Sequence, residues 1–98
     1  MVAQVHRLGD CNNAGGCITV TPQTSVFANG ILICVEGSIG TDHTPCGQDG
    51  GDEHCAGAWI TIATGPSVFA GGLPIIKMGD TDTCGHVRAA GSIDVFID

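Results

Sequence analysis

The sequence predicts a small all-β protein with many tight turns. Sixteen of its 98 residues are glycine, a residue that favours turns and weakens long helices. The apolar residues form short β-branched runs such as Ile18–Val20, Ile31–Val35 and Trp59–Ile62, which are typical of short strands. No segment has helical periodicity over a useful length. A chain of this size forms one domain with a small core, so we expect a metal ion, disulfides or a partner to add stability.

One phrase of the sequence occurs three times. The letters SVFANG at 25–30 return as SVFAGG at 67–72, and IDVFID at 93–98 is a third, altered copy. A Val-Phe pair alone is a simple core pattern, but three copies in step with other features indicate an internal repeat.

A second phrase is repeated in step with the first. RLGD at 7–10 aligns with KMGD at 77–80. VEGS at 35–38, which lies between them in the chain, has the same glycine at its third position. We therefore predict three repeats, with a longer loop in the second. The repeats lie at roughly residues 6–33, 34–76 and 77–98 of a single domain that covers residues 1–98.

The first two Val-Phe phrases end in hairpin turn signals. Both residues of Asn29-Gly30 and of Gly71-Gly72 can adopt positive φ, as two-residue hairpin loops require. A lone hairpin cannot bury its apolar face, so we predict three hairpins in a conical, pseudo-threefold structure with the cysteine-bearing loops at one end. The valine and phenylalanine of each copy are expected at the same height along the pseudo-threefold axis: Val26, Phe27, Val68, Phe69, Val95 and Phe96.

Charge and hydropathy exclude several function classes. The formal net charge is −7 and only three residues are basic, which leaves no cationic surface for nucleic acid. No run approaches the about 18–20 apolar residues of a membrane span, so we expect no stable membrane insertion. The first ten residues lack the apolar stretch of a signal peptide, which predicts no ordinary secretory signal.

Most cysteines and histidines lie in the three predicted loops. The loops carry Cys11 and Cys17, then His43, Cys46, His54 and Cys55, then Cys84 and His86. His43-x₂-Cys46 and Cys84-x-His86 have chelate spacing, and thiolate with imidazole favours zinc, with iron as the alternative.

The six cysteines admit a metal site or a disulfide framework. Without a predicted secretory signal, we favour metal ligation for some and buried or free thiols for the rest. For Cys11 and Cys55, an inert or disulfide-paired state is favoured over ligation. Cys34, in an apolar run, is expected to be a buried small hydrophobe, and His6 is expected at the surface.

The triplicated pattern of a basic residue, Gly-Asp, a Cys/His loop and Val-Phe resembles the PAAR-repeat proteins over about residues 5–98. The resemblance implies a non-enzymatic β cone that sharpens the tip of a contractile injection machine. Its base would cap a trimeric β-helical spike protein, VgrG-like or from a phage, and its apex would hold a metal ion. It also implies synthesis in the cytoplasm and delivery outside the cell on a phage tail or an injection particle.

The resemblance also implies metal ligands. His43 and His54 match the two histidines of the middle loop, and Cys84 matches the cysteine of the third loop. The histidine of the family's first loop falls on Gly15, which cannot ligate. The fourth ligand would be His86, Cys17 or Cys46, of which His86 is ranked first.

Other features suggest how such a tip would be built. Asp10 and Asp80 open equivalent repeats, which favours turn hydrogen bonds over carboxylate catalysis. The apolar segments Ile31–Ile33, Ile75–Ile76 and Val95–Ile97 are expected to supply the base that docks on the spike.

Three other functions remain possible from the sequence. One is a disulfide-rich or zinc-binding interaction module. Another is a zinc hydrolase with Glu53 as base, which four protein ligands on the ion would disfavour. The third is a zinc-ribbon adaptor for nucleic acid, which the negative charge disfavours.

Overall fold

A computed structural model describes residues 3–65 and 68–97. The described part is nearly all β, which confirms the predicted class. Ser67 and Asp98, which belong to the second and third copies of the Val-Phe phrase, lie outside it. Its strands are β1 (Ala3–Gln4), β2 (Ile18–Val20), β3 (Phe27–Ala28), β4 (Ile31–Leu32), β5 (Ile39–Gly40), β6 (Thr61–Ile62), β7 (Phe69–Ala70), β8 (Leu73–Pro74), β9 (Thr81–Asp82) and β10 (Phe96–Ile97). A short 3₁₀ helix spans Asp52–His54, and the described residues contain no helix of the length and apolarity needed to span a bilayer.

Two of the three predicted hairpins are present. Strands β3 and β4 pair through Phe27 and Leu32, and β7 and β8 pair in the same antiparallel way. Their two-residue turns have positive φ at all four positions, at 56° and 74° for Asn29-Gly30 and at 60° and 80° for Gly71-Gly72. The turn residues therefore determine where both hairpins form, because a two-residue hairpin turn of this kind requires positive φ at both positions.

The third Val-Phe strand is not part of a hairpin. Strand β10 pairs with β1 at the opposite end of the chain, with Ala3 opposite Ile97 and Gln4 opposite Phe96. The third predicted hairpin is not found among the described residues, because Phe96 and Ile97 take their partners from β1. The conical, pseudo-threefold arrangement stays a prediction.

Three chain segments meet in a closed ring of backbone hydrogen bonds. His6 donates to Ile76 at 3.0 Å, Ile76 donates to Cys34 at 2.9 Å, and Cys34 donates to His6 at 2.9 Å. His6 and Cys34 open the first and second predicted repeats, and Ile76 directly precedes the third. The ring therefore joins the three places where the predicted repeats begin, and its three residues are fully buried.

A turn of the same form follows each segment of the ring. The fourth residue of each turn donates its N–H to the first carbonyl in Arg7–Asp10, Val35–Ser38 and Lys77–Asp80. The third residue is a glycine with φ of 88°, 90° and 95° respectively, a conformation that costs other residues about 1–2 kcal/mol. In the first and third turns the aspartate carboxylate accepts the backbone N–H of the first residue, at 2.8 and 2.9 Å. The predicted turn-bonding role of these aspartates is confirmed.

Two apolar clusters lie on opposite faces of the ring, since successive side chains of an extended segment point in opposite directions. The first cluster, called here the hairpin core, contains Val5, Ala28, Ile33, Val35, Ala70 and Ile75, and the valine of each Val-Phe pair packs against it. The second, called the inner core, contains Ile18, Cys34, Trp59 and Ile76, with Cys84 packed against it. Cys34 is fully buried, as predicted.

The phenylalanines of the Val-Phe pairs are exposed. Phe27, Phe69 and Phe96 keep 55%, 57% and 49% of their surface accessible. Ile33, Ile75 and Ile76, which the sequence suggested for an apolar base, are instead buried in the two cores. The prediction of that base was wrong for these isoleucines, because they belong to the segments that form the ring.

His6 is fully buried rather than at the surface, so the prediction of an exposed His6 was wrong. Its Nδ1 lies 2.6 Å from the Ala90 carbonyl oxygen, and its Nε2 accepts from Arg88 Nη1 at 3.2 Å. Burial, with the nearby Arg88 charge as a smaller contribution, lowers the pKa of His6 to about 4. The folded protein therefore holds His6 as a neutral imidazole.

The stability should fall in acid because of His6. The folded pKa of about 4 lies below the ordinary histidine value of 6.5, so the stability contributed by neutral His6 is complete above about pH 6.5 and is lost as the pH falls towards 4. The loss expected from this difference is about 3 kcal/mol. Urea unfolding of chelator-treated protein at pH 7, 5 and 4 measures it, and His6→Gln is the control. An equal decline in both proteins would contradict the prediction.

Candidate metal centre

Three histidines from two loops form a compact group. The nitrogen atoms that His43, His54 and His86 can offer to an ion all lie within 4.8 Å of one another. His43 and His54 come from the middle loop, and His86 comes from the third loop. These are three of the six residues that the sequence analysis named as possible ligands.

Cys84 adjoins the group, and its separations suit a tetrahedral ion. His54 Nδ1 lies 3.2 Å from His43 Nε2, and Cys84 Sγ lies 3.5 Å from the same nitrogen. Bond lengths of about 2.0–2.1 Å to nitrogen and about 2.3 Å to sulfur place tetrahedral ligands about 3.3 Å (N–N) and about 3.6 Å (N–S) apart. The two observed distances therefore match two edges of a zinc coordination tetrahedron.

The outer nitrogens of two of these histidines have polar partners. His86 Nδ1 lies 3.2 Å from Asn13 Oδ1. His54 Nε2 lies 3.5 Å from Glu53 Oε1. Because an oxygen acceptor holds the proton on the nearer nitrogen, the other nitrogen keeps its lone pair for an ion. His86 Nε2 is buried without a hydrogen-bond partner among the described residues, so it is free to bind an ion.

Burial also shifts the pKa values of His43 and Cys84. The pKa of His43 is lowered, first by burial and then by the neighbouring His86 and His54 charges. Burial raises the pKa of the Cys84 thiol. The lowered pKa favours the neutral His43 imidazole, which can ligate, whereas the Cys84 thiol must release its proton when an ion binds.

Backbone hydrogen bonds within the middle loop fix the position of His43. His43 N–H donates to the His54 carbonyl at 3.1 Å, and Cys46 N–H donates to the His43 carbonyl at 2.8 Å. The His43 ring also contacts Trp59 edge to face, with ring centres 5.2 Å apart. These contacts place His43 between the inner core and the other two histidines.

The absence of a side chain at Gly16 makes room for the His43 ring. A methyl group at Gly16 would lie 2.5 Å from His43 Nδ1 and 2.8 Å from Asn12 Nδ2. Only glycine allows this approach without displacing one of the two side chains.

Gly16→Ala should therefore weaken metal binding, by about 10- to 100-fold as for other changes that misplace a ligand. Gly15→Ala is the matched control, since Gly15 has φ of +86° and nothing within 4 Å of an added methyl. The control should lose about 1–2 kcal/mol of stability from backbone strain and keep its metal affinity. Competition titration with a chromogenic chelator measures both, and equal affinities in the two variants would contradict the prediction.

A buried ion pair lies next to the group. Arg88 Nη2 is 3.0 Å from Asp82 Oδ2, and both side chains are completely buried. Arg88 also donates to the Gly16 carbonyl at 2.8 Å, and its guanidinium carbon lies 5.2 Å from the Trp59 ring centre. Burial raises the pKa of Asp82, although hydrogen bonding from Asn12 and the Arg88 charge oppose this.

Four cysteines form two disulfides, Cys11–Cys17 and Cys46–Cys55. The suggestion that Cys17 or Cys46 acts as a metal ligand was wrong, whereas Cys11 and Cys55 are disulfide-paired, which is one of the two states favoured for them over ligation. The physical reason is that each loop returns on itself: Cys11 and Cys17 face each other across an antiparallel bridge. Cys17 and Cys46 therefore have no thiolate to offer to the histidine group, and Cys34 and Cys84 are the free cysteines.

The sequence analysis missed the residues that support the group. Asn13, Asp82 and Arg88 were not selected, because single polar residues in a loop carry no spacing signal. Arg88 offered one indirect sign: it is one of only three basic residues in the chain.

The fold and the site define a class: a small all-β, disulfide-containing protein with a His/Cys group able to hold a metal ion. Comparison of the sequence with protein-family models gives no match, and comparison with curated proteins gives none either. The function is therefore argued from the residues themselves.

Proposed function

We propose that this protein is a PAAR-like spike tip, which caps the trimeric β-helical spike of a contractile injection machine and helps it to pierce a cell envelope. The observation that carries the proposal is the threefold recurrence of one hydrogen-bond pattern around the ring of His6, Cys34 and Ile76. Related patterns in three repeats suit a single chain that must sit on a trimer.

The recurrence extends beyond the ring. The N–H of each turn glycine donates to a backbone carbonyl of the segment that returns from its loop: Gly9 to Ile18, Gly37 to Thr61, and Gly79 to Arg88, at 2.9–3.0 Å. Each loop therefore leaves and re-enters the ring in the same way. This supports a common end for the three loops, where a point would form.

The exposed phenylalanines support a docking face for the spike. Phe27, Phe69 and Phe96 belong to strands that flank the hairpin core, on the opposite side of the ring from the inner core that contacts His43. Three exposed aromatic rings at equivalent repeat positions can each meet one chain of a trimer, and aromatic residues are common binding anchors.

The metal in this proposal is zinc, held by His43, His54, Cys84 and His86. Three imidazoles and one thiolate suit zinc, with iron as the alternative. Four protein ligands would close the site, so the ion would be structural and the protein would not be an enzyme. The binding energy of the ion would stabilise loops that have few apolar contacts of their own.

The disulfides support a location outside the reducing cytosol. Both join cysteines within one loop, and such bonds persist in oxidising surroundings. A tip made in the cytoplasm and carried out on a phage tail or another injection particle would form them after assembly.

The test is reconstitution with a trimeric β-helical spike, such as a VgrG-like protein or a phage spike. Native mass spectrometry should give one tip per three spike chains, and electron microscopy should place the tip at the blunt end. The variant Phe27→Asp/Phe69→Asp/Phe96→Asp should lose the complex. Ile60→Asp, which changes an exposed residue beside Thr83, should keep it. A folded, zinc-loaded protein that binds no such spike would contradict the proposal.

A second candidate, a disulfide-rich interaction module, is favoured by the two disulfides. It would need no spike and no metal, and it would share the two free thiols, Cys34 and Cys84. The spike-tip proposal instead expects a bound metal ion and a complex with the spike. Metal analysis of the purified protein, together with the reconstitution, distinguishes the two.

A further inference from the structure

The middle loop carries a second group of potential ligands, apart from the histidines. The Asp42 carboxylate and the sulfurs of Cys46 and Cys55 all lie within 4.8 Å of one another. The sequence suggested that Cys46 would act with His43, but Cys46 faces this other group. We propose that Cys46, Cys55 and Asp42 form a second zinc site, which exists when the cysteines are reduced and is abolished by their disulfide.

Two features hold the three side chains together without the disulfide. The Asp42 carboxylate accepts a hydrogen bond from the N–H of Ala56, the residue after Cys55. The backbone bonds between His43 and His54 and between Cys46 and His43 close the same loop. Reduction therefore leaves two thiols and a carboxylate in place on a structured loop.

The chemistry of the three groups suits zinc. Two thiolates and one carboxylate are common zinc ligands, and water can fill the fourth position. The Cα atoms of the two cysteines lie 4.9 Å apart, so rotation of the side chains can separate the sulfurs to the about 3.7 Å that two thiolates on one tetrahedral ion require. The other disulfide lacks this option, since the described residues place no third ligand group beside Cys11 and Cys17.

The redox step balances with a thiol reductant, as found in a reducing cytosol. Two thiols of the reductant give up two electrons and two protons and become a disulfide, and the protein disulfide becomes two thiols. Zinc then binds as both thiols release their protons. A disulfide oxidant reverses the sequence and expels the ion. The protein would thus carry an extra zinc ion where it is made and lose it on oxidation.

The test compares zinc content before and after reduction of the whole protein. A trialkylphosphine with water reduces each disulfide to two thiols and becomes the phosphine oxide. Native mass spectrometry after zinc addition and desalting should then show one more zinc per chain than in the oxidised protein. Oxidised glutathione should remove that zinc and leave the first one bound.

Matched variants identify the residues that bind the extra zinc ion. Cys46→Ser/Cys55→Ser should not gain it, whereas Cys11→Ser/Cys17→Ser should gain it as the wild type does. Asp42→Asn should bind it about 10-fold more weakly. Cys84→Ser, which changes the histidine group, should still gain it. An unchanged zinc count in the reduced wild type, or an extra zinc that persists in Cys46→Ser/Cys55→Ser, overturns the proposal.

Discussion

Cys84→Ser should lose the metal ion and most of the stability that the ion supplies. Changes to residues that merely orient a ligand cost about 10- to 100-fold in affinity, so loss of the thiolate should cost at least about 100-fold. A 100-fold weaker site at a fixed excess of zinc lowers the free energy of unfolding by about 2.7 kcal/mol. Thermal unfolding with and without a chelator, together with metal analysis, measures both effects.

Cys34→Ala is the matched control for this experiment. Cys34 is buried in the inner core, against which Cys84 packs, and burial raises the pKa of its thiol to about 12. The control should lose some packing energy but keep its zinc, and the chelator should lower its melting temperature as it does in the wild type. Full zinc occupancy in Cys84→Ser, with unchanged affinity, would show that Cys84 is not a ligand.

Arg88→Met should be among the most destabilising substitutions in the described part of the chain. It leaves the buried Asp82 carboxylate without its cation, and removal of one partner of a buried pair costs about 3–5 kcal/mol. It also removes the donors to the Gly16 carbonyl and to His6. Since Gly16 contacts the His43 ring, zinc affinity should fall as well. Urea unfolding and a zinc competition titration measure the two effects.

Two further variants test the cause of this loss. Arg88→Met/Asp82→Leu removes both charges, so it should be more stable than Arg88→Met alone. Arg7→Met removes the partly exposed Arg7–Asp10 pair, 3.1 Å apart, and should cost less than about 1 kcal/mol. If Arg88→Met costs no more than Arg7→Met, the buried pair does not stabilise the fold.

The sequence determined the features that depend on local chemistry. Asn29-Gly30 and Gly71-Gly72 predicted two hairpins, since their positive φ angles are a property of those residues. Asp10 and Asp80 predicted turn bonds for the same reason. The proximity of His43, His54, Cys84 and His86 was foreseen only because the repeat and the family resemblance suggested that the loops meet at one end.

The sequence could not show which surfaces would be buried. An alternating apolar run looks the same whether it lines a base or crosses a central ring, and this is why Ile33, Ile75 and Ile76 were misplaced. His6 was misplaced for a similar reason: its burial depends on Ala90 and Arg88, more than 80 residues away along the chain.

The tertiary structure alone decided how the cysteines are used. Spacing made Cys46 a reasonable ligand for the histidine group, and its place in the first repeat did the same for Cys17. The direction in which each loop folds back sets Cys17 against Cys11 and Cys46 against Cys55. The sequence by itself determined the all-β class, the turns and the residue types that can bind a metal, because these follow from local conformation and side-chain chemistry. Which of those residues meet depends on contacts between distant parts of the chain, and only the folded molecule contains that information.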